Sequence, residues 1–346
     1  MTWPVNVKEV KKLQMEISNY CNARCPACAR ETSYEKPDKQ NYIGLNSKYV
    51  TLEQFKKWMD NGNFWWSLRL IDFCGNYDEP TTNPDLLDII EWIFTSGKFS
   101  CKLQVNISTN GGTRNKEFWH KLGKISDKYR YATLANLGRV NVIWGIDGLE
   151  DTNHIYRRNV EWNKLQENFR TYIAAGGRAS WQFIYFKHNE HQDELAKQRS
   201  IDEGFERIKF RGTKRTEQKV IQPGQGKHEL AIKETTEKVV CKACFRPEYH
   251  GLDTGLYTTV QGTVLPCCWW GTESQMSLIE KTYGYQYDKD DNNLNSGKTF
   301  QEILDSPWFT NLHDRIQAEQ FAKCVHHCKE NVISTINNQI HYTGTQ

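Results

Sequence analysis

Short segments rich in apolar residues alternate, over the first two thirds of the chain, with segments whose apolar residues recur at helical spacing. Helical patterns lie between most of the strand-like segments, and in one of them Trp162, Leu165, Phe169, Tyr172 and Ile173 fall on one face. The strand-like segments are 13–18, 68–74, 102–108, 139–147, 180–187 and 207–211. Strands that alternate with helices predict a parallel sheet with helices on its outer face. In such sheets, ligands bind at the carboxyl ends of the strands.

Residues that begin and end helices support this division. Thr51 and Gln54 predict a capping box for the helix before the second strand. The helix after the second strand is expected to have Asn83 as its N-cap and Pro84 in its first turn, and to end before Gly97.

The composition changes after the sixth strand. Residues 213–238 are polar and include Pro223-Gly224, which predicts a linker between a domain over 1–212 and a second domain over 239–346. Within the second domain, apolar segments on both sides of Gln261-Gly262 predict a β-hairpin. Thr299 with Glu302 predicts a further capping box.

Charge and hydropathy exclude several classes of protein. Lys plus Arg number 45 and Asp plus Glu number 42, so the net charge of +3 gives no reason to expect binding to nucleic acid or to a membrane. No apolar run approaches the ~20 residues of a membrane helix, and the first residues lack the apolar stretch of a signal peptide. We therefore expect a cytoplasmic protein with reduced thiols. Of its 11 cysteines, those that cluster are expected to serve as metal or iron–sulfur ligands rather than in disulfides, and Cys74 and Cys101 stand apart.

Three of these cysteines, Cys21, Cys25 and Cys28, lie in the loop after the first strand. Three thiolates can hold three irons of a cubane cluster and leave the fourth iron open to another ligand. A zinc site normally takes a fourth protein ligand, and no histidine is near. Zinc or free thiols are the alternatives to a cluster here.

The string SNYCNARCPAC, residues 18–28, resembles the cluster-binding loop of the radical S-adenosylmethionine (radical SAM) superfamily. The resemblance implies an α/β fold, a partial (βα)6 barrel of parallel strands, with a [4Fe–4S] cluster on the three cysteines. In that family the amino and carboxylate groups of S-adenosylmethionine chelate the open iron. One electron from the cluster then cleaves the sulfonium, and the resulting 5′-deoxyadenosyl radical removes a hydrogen atom from the substrate.

The same resemblance implies cofactor contacts in the loops after the second to fifth strands. The segment Cys74–Pro80 is similar to the family's Gly-Gly-Glu-Pro loop, and Gly145–Gly148 is similar to its fourth-strand motif. The implied cofactor-binding residues are Gly75, Asn76, Asp78, Glu79, Ser108, Asn110, Asp147, Arg158, Gln182 and Asn189. Arg157 and Arg158 together could bind the cofactor carboxylate or a substrate anion, and a solvated pair of loop residues is the alternative. The chain departs from the family at three places: Tyr77-Asp78 replace two glycines, Gly145 replaces a serine, and Ala27 replaces an aromatic residue.

A second group of cysteines lies in the last third of the chain. Gly262 and Cys267 on the predicted hairpin resemble the SPASM/Twitch extension, which carries auxiliary iron–sulfur clusters. The six candidate ligands are Cys241, Cys244, Cys267, Cys268, Cys324 and Cys328. Six thiols are too few for two fully ligated cubanes, so a single auxiliary [4Fe–4S] cluster, the Twitch arrangement, is expected.

The expected ligands of that cluster are Cys241, Cys267, Cys324 and Cys328, with Cys244 and Cys268 as substitutes. Successive residues of a strand point to opposite faces, so Cys267 and Cys268 are not expected to bind the same metal. A structural zinc is the alternative.

These features predict a radical SAM enzyme that modifies a peptide or protein and takes electrons from a reductant such as flavodoxin or ferredoxin. A small-molecule dehydrogenase or cyclase is the alternative, and a non-catalytic iron–sulfur carrier is the alternative of another class. No acid or base for the substrate can be named from the sequence. The basic residues Lys209, Arg211, Lys214, Arg215 and Lys219 suit either an acidic peptide, a phosphate or a solvated surface.

Overall fold

The computed structural model describes residues 6–26, 28, 30, 49–60, 65–130, 140–212, 255–268, 270–271, 292–312 and 340–342. The strands are β1 (Lys12–Met15), β2 (Leu70–Phe73), β3 (Gln104–Thr109), β4 (Val140–Gly145), β5 (Ala179–Ile184), β6 (Arg207–Arg211), β7 (Gly255–Thr258), β8 (Val264–Leu265) and β9 (Ile340–Tyr342). The helices are α1 (Leu52–Asp60), α2 (Leu86–Thr95), α3 (Lys116–Lys128), α4 (Asn153–Tyr156), α5 (Trp162–Ala174), α6 (Asp193–Asp202), α7 (Phe300–Leu304) and α8 (Pro307–Thr310).

Within the described residues the strands form one sheet in the order β8-β7-β1-β2-β3-β4-β5-β6-β9. Strands β1 to β6 are neighbours in chain order, and every pair among them is parallel. Helices α1 to α6 lie in the connections between these strands. The predicted α/β barrel of six parallel strands is confirmed.

The strands have a two-sided burial pattern that explains the architecture. On β1 and β2 every second residue, such as Leu13 and Ile71, is fully buried. The alternate residues are half-buried, and apart from Leu70 they are polar, among them Gln14 and Asp72. Since side chains alternate across a strand, one face of the sheet packs on the helices and the other is a polar inner face.

An aromatic core fills the space between the outer helices and β4. Trp119 of α3 and Trp144 of β4 have ring centroids 4.6 Å apart, and Tyr172 of α5 lies 6.0 Å from Trp144. All three side chains are fully buried. Gly123 allows α3 and α5 to approach, because a Cβ atom there would lie 2.6 Å from the carbonyl oxygen of Tyr172.

The helix ends match the prediction in part. Thr299 and Glu302 form the predicted capping box. Thr51 accepts a hydrogen bond from the Gln54 amide (3.1 Å), but the Gln54 side chain donates to Asn295 instead of completing a box. The prediction that Asn83 caps α2 is wrong, because Asp85 occupies that position.

Asn83 instead joins separate segments of the chain. Its side-chain amide donates to the carbonyl oxygens of Ile17 (2.7 Å) and Val50 (2.9 Å). Both acceptors are distant in sequence, so the local pattern around Asn83 could not indicate this role.

The segment after the predicted linker contributes strands to both edges of the barrel sheet. Strands β7 and β8 form the predicted hairpin, with Tyr257 opposite Leu265. Strand β7 pairs parallel to β1, and β9 pairs antiparallel to β6. The domain limits at 212 and 239 stay a prediction. In the part of the chain that the structure describes, no helix has the length and apolarity needed to span a bilayer.

Candidate functional site

The loops that follow β1 to β4 meet at the carboxyl edge of the sheet. The amide of Glu79 donates to Tyr20 O (2.7 Å), and the amide of Arg24 donates to Arg158 O (3.0 Å). The side-chain amide of Asn110 donates to Asn22 Oδ1 (2.8 Å). The cysteine loop after β1 is therefore bonded to the loops after β2, β3 and β4.

Polar groups from these loops surround the three cysteines. Cys25 is buried, while Cys21 and Cys28 are half-buried. The amide nitrogen Nδ2 of Asn110 lies 3.6 Å from Cys21 Sγ, and Cys28 Sγ lies 3.9 Å from the carbonyl oxygen of Asn76. Burial raises the pKa of Cys25 to about 11, and the positive charge of Arg157 opposes that rise.

The three thiols do not converge on the position of a single ion. No group of three Cys, His, Asp or Glu side chains in the described ranges is arranged around one ion position. A cubane cluster takes one thiolate per iron, so its ligands approach three different corners. Whether these thiols hold a cluster or a zinc ion stays a prediction.

Glu16, the residue after β1, supports the loop that follows β2. Its Oε1 accepts hydrogen bonds from the amides of Asn76 (2.5 Å) and Tyr77 (3.0 Å). Gly75 makes this contact possible, because a Cβ atom there would lie 2.0 Å from Glu16 Cγ. Burial raises the pKa of Glu16 to about 7, although the Tyr257 hydroxyl and the two amides oppose the rise.

Glu79 joins the β2 loop to the end of β3. Its Oε1 accepts hydrogen bonds from the hydroxyls of Thr81 and Thr109, both at 2.6 Å, and its Oε2 accepts one from the amide of Asn110 (2.7 Å). Burial raises the pKa of Glu79, and these donors oppose the rise. Because both carboxylate oxygens are occupied, Glu79 acts as a brace between two loops.

Asp78 has one carboxylate oxygen that is only weakly satisfied. Its Oδ1 accepts a hydrogen bond from the amide of Gly75 (2.8 Å). Its Oδ2 is buried and makes no hydrogen bond of ordinary geometry with the described residues, although the backbone amide of Ile17 is near enough to lower the pKa of the group. Burial, followed by the nearby charges of Glu16 and Glu79, raises the pKa of Asp78 well above its ordinary value. A buried carboxylate oxygen that is only weakly satisfied is a site for a positively charged donor.

The loop after β4 supplies a guanidinium held by a buried carboxylate. Asp147 is fully buried, and its Oδ2 accepts a hydrogen bond from Arg157 Nε (2.7 Å) while its Oδ1 accepts one from the amide of Ile184 (2.7 Å). At Gly145 a Cβ atom would lie 2.6 Å from Arg157 Nη2. The glycine that departs from the family pattern therefore makes room for Arg157.

Arg157 and Arg158 have different surroundings. The guanidinium of Arg157 interacts with the Cys25 thiol, whereas Arg158 is exposed. The structure thus brings the guanidinium of Arg157 to Cys25, whereas Arg158 meets the cysteine loop only through its carbonyl oxygen, which accepts from the Arg24 amide. A role for Arg158 stays a prediction.

Asn189 and Gln182 on and after β5 have different positions. Asn189 accepts a hydrogen bond from the amide of Phe186 (2.7 Å) and donates to the carbonyl oxygens of Asp147 and Ile184, both at 2.9 Å. These hydrogen bonds of Asn189 join the loop after β4 to the loop after β5. Gln182 is half-buried on the inner face, opposite Gly145 of β4. Contacts of both residues with a cofactor stay predictions.

The loop after β5 also holds an imidazole, that of His188. Its ring stacks on Phe186, with centroids 5.3 Å apart and planes 9° apart. Both ring nitrogens are buried and have no hydrogen-bond partner in the described part of the structure. Burial, followed by the charges of His154 and His191, lowers the pKa of His188.

Of the second group, Cys267 and Cys268 lie among the described residues, and Cys268 contacts the loop after β2. The carbonyl oxygen of Cys268 accepts a hydrogen bond from Asn76 Nδ2 (2.7 Å), and burial raises the pKa of its thiol to about 12. Strand β8 ends at Leu265, so Cys267 and Cys268 lie in a turn. The expectation that they lie on opposite faces of a strand is therefore wrong. Cys241, Cys244, Cys324 and Cys328 lie outside the described residues.

Cys74 and Ser108 lie on the inner face at the ends of β2 and β3. The Ser108 hydroxyl interacts with the Cys74 thiol. Burial raises the pKa of this thiol. The sequence analysis named Ser108 as a cofactor ligand, which stays a prediction.

Comparison with solved structures identifies similar folds. SuiB from Streptococcus suis has a TM-score of 0.55 and 14% identity, over 88% of this chain and 68% of SuiB. SuiB bound to S-adenosylmethionine has a TM-score of 0.52 and 14% identity, over 88% and 68%. Native anSMEcpe with bound AdoMet has a TM-score of 0.51 and 12% identity, over 90% and 83%. Neither a protein-family model nor a curated protein matches this chain.

The fold of this chain is similar to the folds of SuiB and anSMEcpe. At these identities the likeness shows the fold and no more. Within this fold, the first three cysteines follow β1, and the predicted cofactor residues lie on or after β2 to β5.

Sequence reasoning missed residues that now belong to the site. Glu16 supports the β2 loop, and Arg30 donates from Nη1 to the carbonyl oxygens of Asn19 and Tyr77 (2.9 Å to Tyr77). Tyr257 of β7 interacts with Glu16. A signal for Glu16 was available, since an acidic residue continues the polar series of β1. The contact with Tyr257 depends on the position of β7, for which the sequence offered no signal.

Proposed function

We propose that this chain is a radical SAM enzyme. The cluster and S-adenosylmethionine would together supply the chemistry, which is one-electron cleavage of the sulfonium to a radical that removes a hydrogen atom from substrate. Cys21, Cys25 and Cys28 would hold the cluster. The chain's other residues orient the cofactor and control access to it.

The observation that carries this proposal is an acidic side chain and a guanidinium in two loops that are bonded to the cysteine loop. In the loop after β2, Asp78 Oδ2 is buried and makes no hydrogen bond of ordinary geometry with the described residues. In the loop after β4, the Arg157 guanidinium is fixed by Asp147 and interacts with Cys25. The amino-acid end of S-adenosylmethionine carries an ammonium and a carboxylate, and this arrangement complements both.

The groups beside the thiols support a cluster on the same loop. Asn110 Nδ2 lies within 3.6 Å of Cys21 Sγ, and Arg157 interacts with Cys25. N–H donors near cysteine sulfur are among the features that set the reduction potential of an iron–sulfur cluster. The backbone amide of Asn110 donates a hydrogen bond to the Glu79 carboxylate, which holds Asn110 in place.

We infer that the substrate is a peptide or protein. A solved structure of SuiB is bound to its precursor peptide SuiA, and this chain resembles it with a TM-score of 0.53 and 12% identity.

The second cysteine group supports an auxiliary [4Fe–4S] cluster, since Cys268 lies next to the β2 loop. A reductant such as flavodoxin or ferredoxin would supply the electrons, in the cytoplasm.

The test is anaerobic reconstitution of the full chain. Iron and zinc are counted per chain, and 5′-deoxyadenosine is assayed with S-adenosylmethionine and a strong reductant. Wild type is expected to bind about eight irons, which two cubane clusters require, and to form 5′-deoxyadenosine. Cys25→Ala should abolish cleavage and keep the iron of the second site. Cys101→Ala is the matched control, because Cys101 is exposed and distant from the predicted ligands.

Each other outcome has a defined meaning. About four irons with one zinc would make the second site structural and keep the enzyme. Unchanged cleavage in Cys25→Ala would refute the assignment of the first cluster. Full iron and bound S-adenosylmethionine without cleavage, across several candidate peptides, would indicate a non-catalytic iron–sulfur carrier.

A further inference from the structure

The inner face of the barrel sheet carries polar side chains on each of the strands β1 to β6, with Leu70, Ile143 and Ile184 as its apolar members. In a closed (βα)8 barrel, branched apolar side chains fill this space in layers. Here the inward positions of β1 to β5 carry residues such as Gln14, Asp72, Asn106, Asn141 and Gln182. Such a face requires water or a polar ligand, since polar groups are costly to bury without partners.

The floor of this space is a hydrogen-bonded ladder across four strands. Arg207 Nε of β6 donates to Ser180 Oγ (2.9 Å), and Ser180 Oγ donates to Asn141 Oδ1 (2.9 Å). Asn141 Nδ2 donates to Asn106 Oδ1 (3.3 Å), which also accepts from Gln104 Nε2 (2.7 Å). The ladder fixes Arg207 at the bottom of the space.

Strand β6 presents two further cations above this floor. Ile208 and Phe210 are fully buried against the helices, so Lys209 and Arg211 point to the inner face together with Arg207. A strand rises about 3.3 Å per residue, so Lys209 lies roughly 7 Å above Arg207. Arg211 lies the same distance higher, at the edge where the cysteine loop is found.

Lys209 and Arg211 have no salt bridge with an acidic side chain in the described part of the chain, in contrast to Lys12, which pairs with Asp72 at 3.2 Å. Burial, followed by the charges of Arg211 and Arg207, lowers the pKa of Lys209. Arg211 is within electrostatic range of Cys74 and Asp72 of β2, on the opposite side of the barrel. The two cations therefore face the space between β6 and β2.

We propose that Lys209 and Arg211 form a subsite for a carboxylate of the substrate, reached from the edge that carries the cysteine loop. The proposal rests on the proposed function, because it assigns the substrate class of the same site. A carboxylate would pair with the Arg211 guanidinium in a bidentate manner and with the Lys209 ammonium as a point charge. It would also relieve the repulsion between the neighbouring cations.

The surroundings favour a carboxylate over a phosphate. Phosphate sites in proteins commonly use free backbone N–H groups at helix N-termini or in loops. From Arg207 to Lys209 the backbone of β6 is paired with β5 on one side and β9 on the other, and Arg211 is paired with β5, so the donors that the strand presents to the inner face are side chains. Asp72 nearby also limits the excess of positive charge available to a dianion.

The test is chemical footprinting of Lys209 on the full reconstituted chain. The chain is treated with an amine-acylating reagent, and acylation of Lys209 is quantified by peptide mass spectrometry. The probes are succinate, a blocked tetraglutamate peptide, its tetraglutamine counterpart and inorganic phosphate. Lys164 on α5 is the internal control, because it is exposed on an outer helix.

We expect succinate or the tetraglutamate peptide to slow acylation of Lys209 at least fivefold and to leave Lys164 unchanged. Protection by succinate alone points to a small acid, and protection by tetraglutamate points to an acidic peptide; either supports a carboxylate subsite. Protection by phosphate alone, equal protection by tetraglutamine, or no protection would overturn it. Because this readout needs no cleavage of S-adenosylmethionine, it fails or succeeds independently of the proposed function.

A binding experiment tests the same subsite with variants. Lys209→Gln/Arg211→Gln should weaken binding of the protecting probe at least tenfold by titration calorimetry. Lys124→Gln/Lys164→Gln removes the same net charge from exposed positions of α3 and α5 and should leave binding within twofold. Equal affinity in both double variants would place the anion elsewhere. If the first variant does not fold, the footprint of the wild-type chain decides the question.

Discussion

Arg157 and Asp147 allow a sharp prediction about the loop after β4. Their side chains are joined at 2.7 Å, but Asp147 is fully buried whereas 18% of the Arg157 side chain is exposed. We therefore expect Arg157→Gln to cost more stability than Asp147→Asn. The first change leaves a buried carboxylate without its counterion, and the second leaves a cation that still reaches water.

The magnitudes follow from the contacts. In Arg157→Gln, Asp147 retains the hydrogen bond from the Ile184 amide but loses its charge partner. Breaking a buried pair in this way costs about 3–5 kcal/mol. In Asp147→Asn, a hydrogen bond to a charged group is lost, at about 1.5–3 kcal/mol. The double variant has neither charge, and its cost should fall short of the sum by about 1–3 kcal/mol.

The assay is urea unfolding of the iron-free chain under reducing, anaerobic conditions, for wild type, both single variants and the double variant. Arg158→Gln is the matched control: it removes the same charge one residue away from an exposed side chain, so we expect a change within about 0.5 kcal/mol. In the reconstituted chain, Arg157→Gln should also weaken S-adenosylmethionine binding at least tenfold.

Two results would refute this reasoning. If the costs of the single variants add in the double variant, the ion pair is not a coupled unit. If Arg158→Gln weakens S-adenosylmethionine binding more than Arg157→Gln, the anion-binding residue is the one the sequence analysis named.

Two further predictions concern the support of the β2 loop. The pKa of folded Glu16 is about 7, above its ordinary value of about 4.5, so the folded chain holds an extra proton between these values. The associated stability is present below pH 4.5 and is lost as the pH rises through 7, by at most about 3 kcal/mol. Urea unfolding of the iron-free chain at pH 5 and pH 8 should show this loss, and Glu16→Gln should reduce it; an identical pH dependence in the variant would contradict the assignment. Gly75→Ala places a Cβ atom 2.0 Å from Glu16 Cγ and should cost about 1–3 kcal/mol by thermal unfolding. Gly212→Ala is the control, because no described residue lies within 4 Å of its Cβ position, and equal losses in both variants would show that the loop accommodates the methyl group.

Local patterns predicted the barrel well. Each of the six strands overlaps its predicted segment, and the stripe from Trp162 to Ile173 falls on α5. These features were predictable because alternation and helical spacing are properties of neighbouring residues. Asn83 shows the limit: a good N-cap in its local context, it is used instead to bond two distant carbonyl groups.

The site was predictable in its location but not in its contacts. The rule that ligands bind at the carboxyl ends of parallel strands placed Cys21, Asn76, Asn110 and Asp147 at one edge. Which of two adjacent arginines faces the cysteines depends on the turn after α4 and on the space at Gly145. Neither is a property of a local pattern.

The sequence by itself determined the order of strands and helices, the inward and outward alternation on each strand, and the three cysteines after the first strand. Short-range spacing carries all of these, since it fixes which residues share a face. Only the tertiary structure decided that Glu16 lies under Gly75, that Asp147 orients Arg157, and that Cys268 lies beside Asn76. Those contacts join residues that are far apart along the chain. They depend on how the sheet curves and on which strand β7 pairs with. The protonation states of the side chains involved depend on burial, which sequence spacing does not determine.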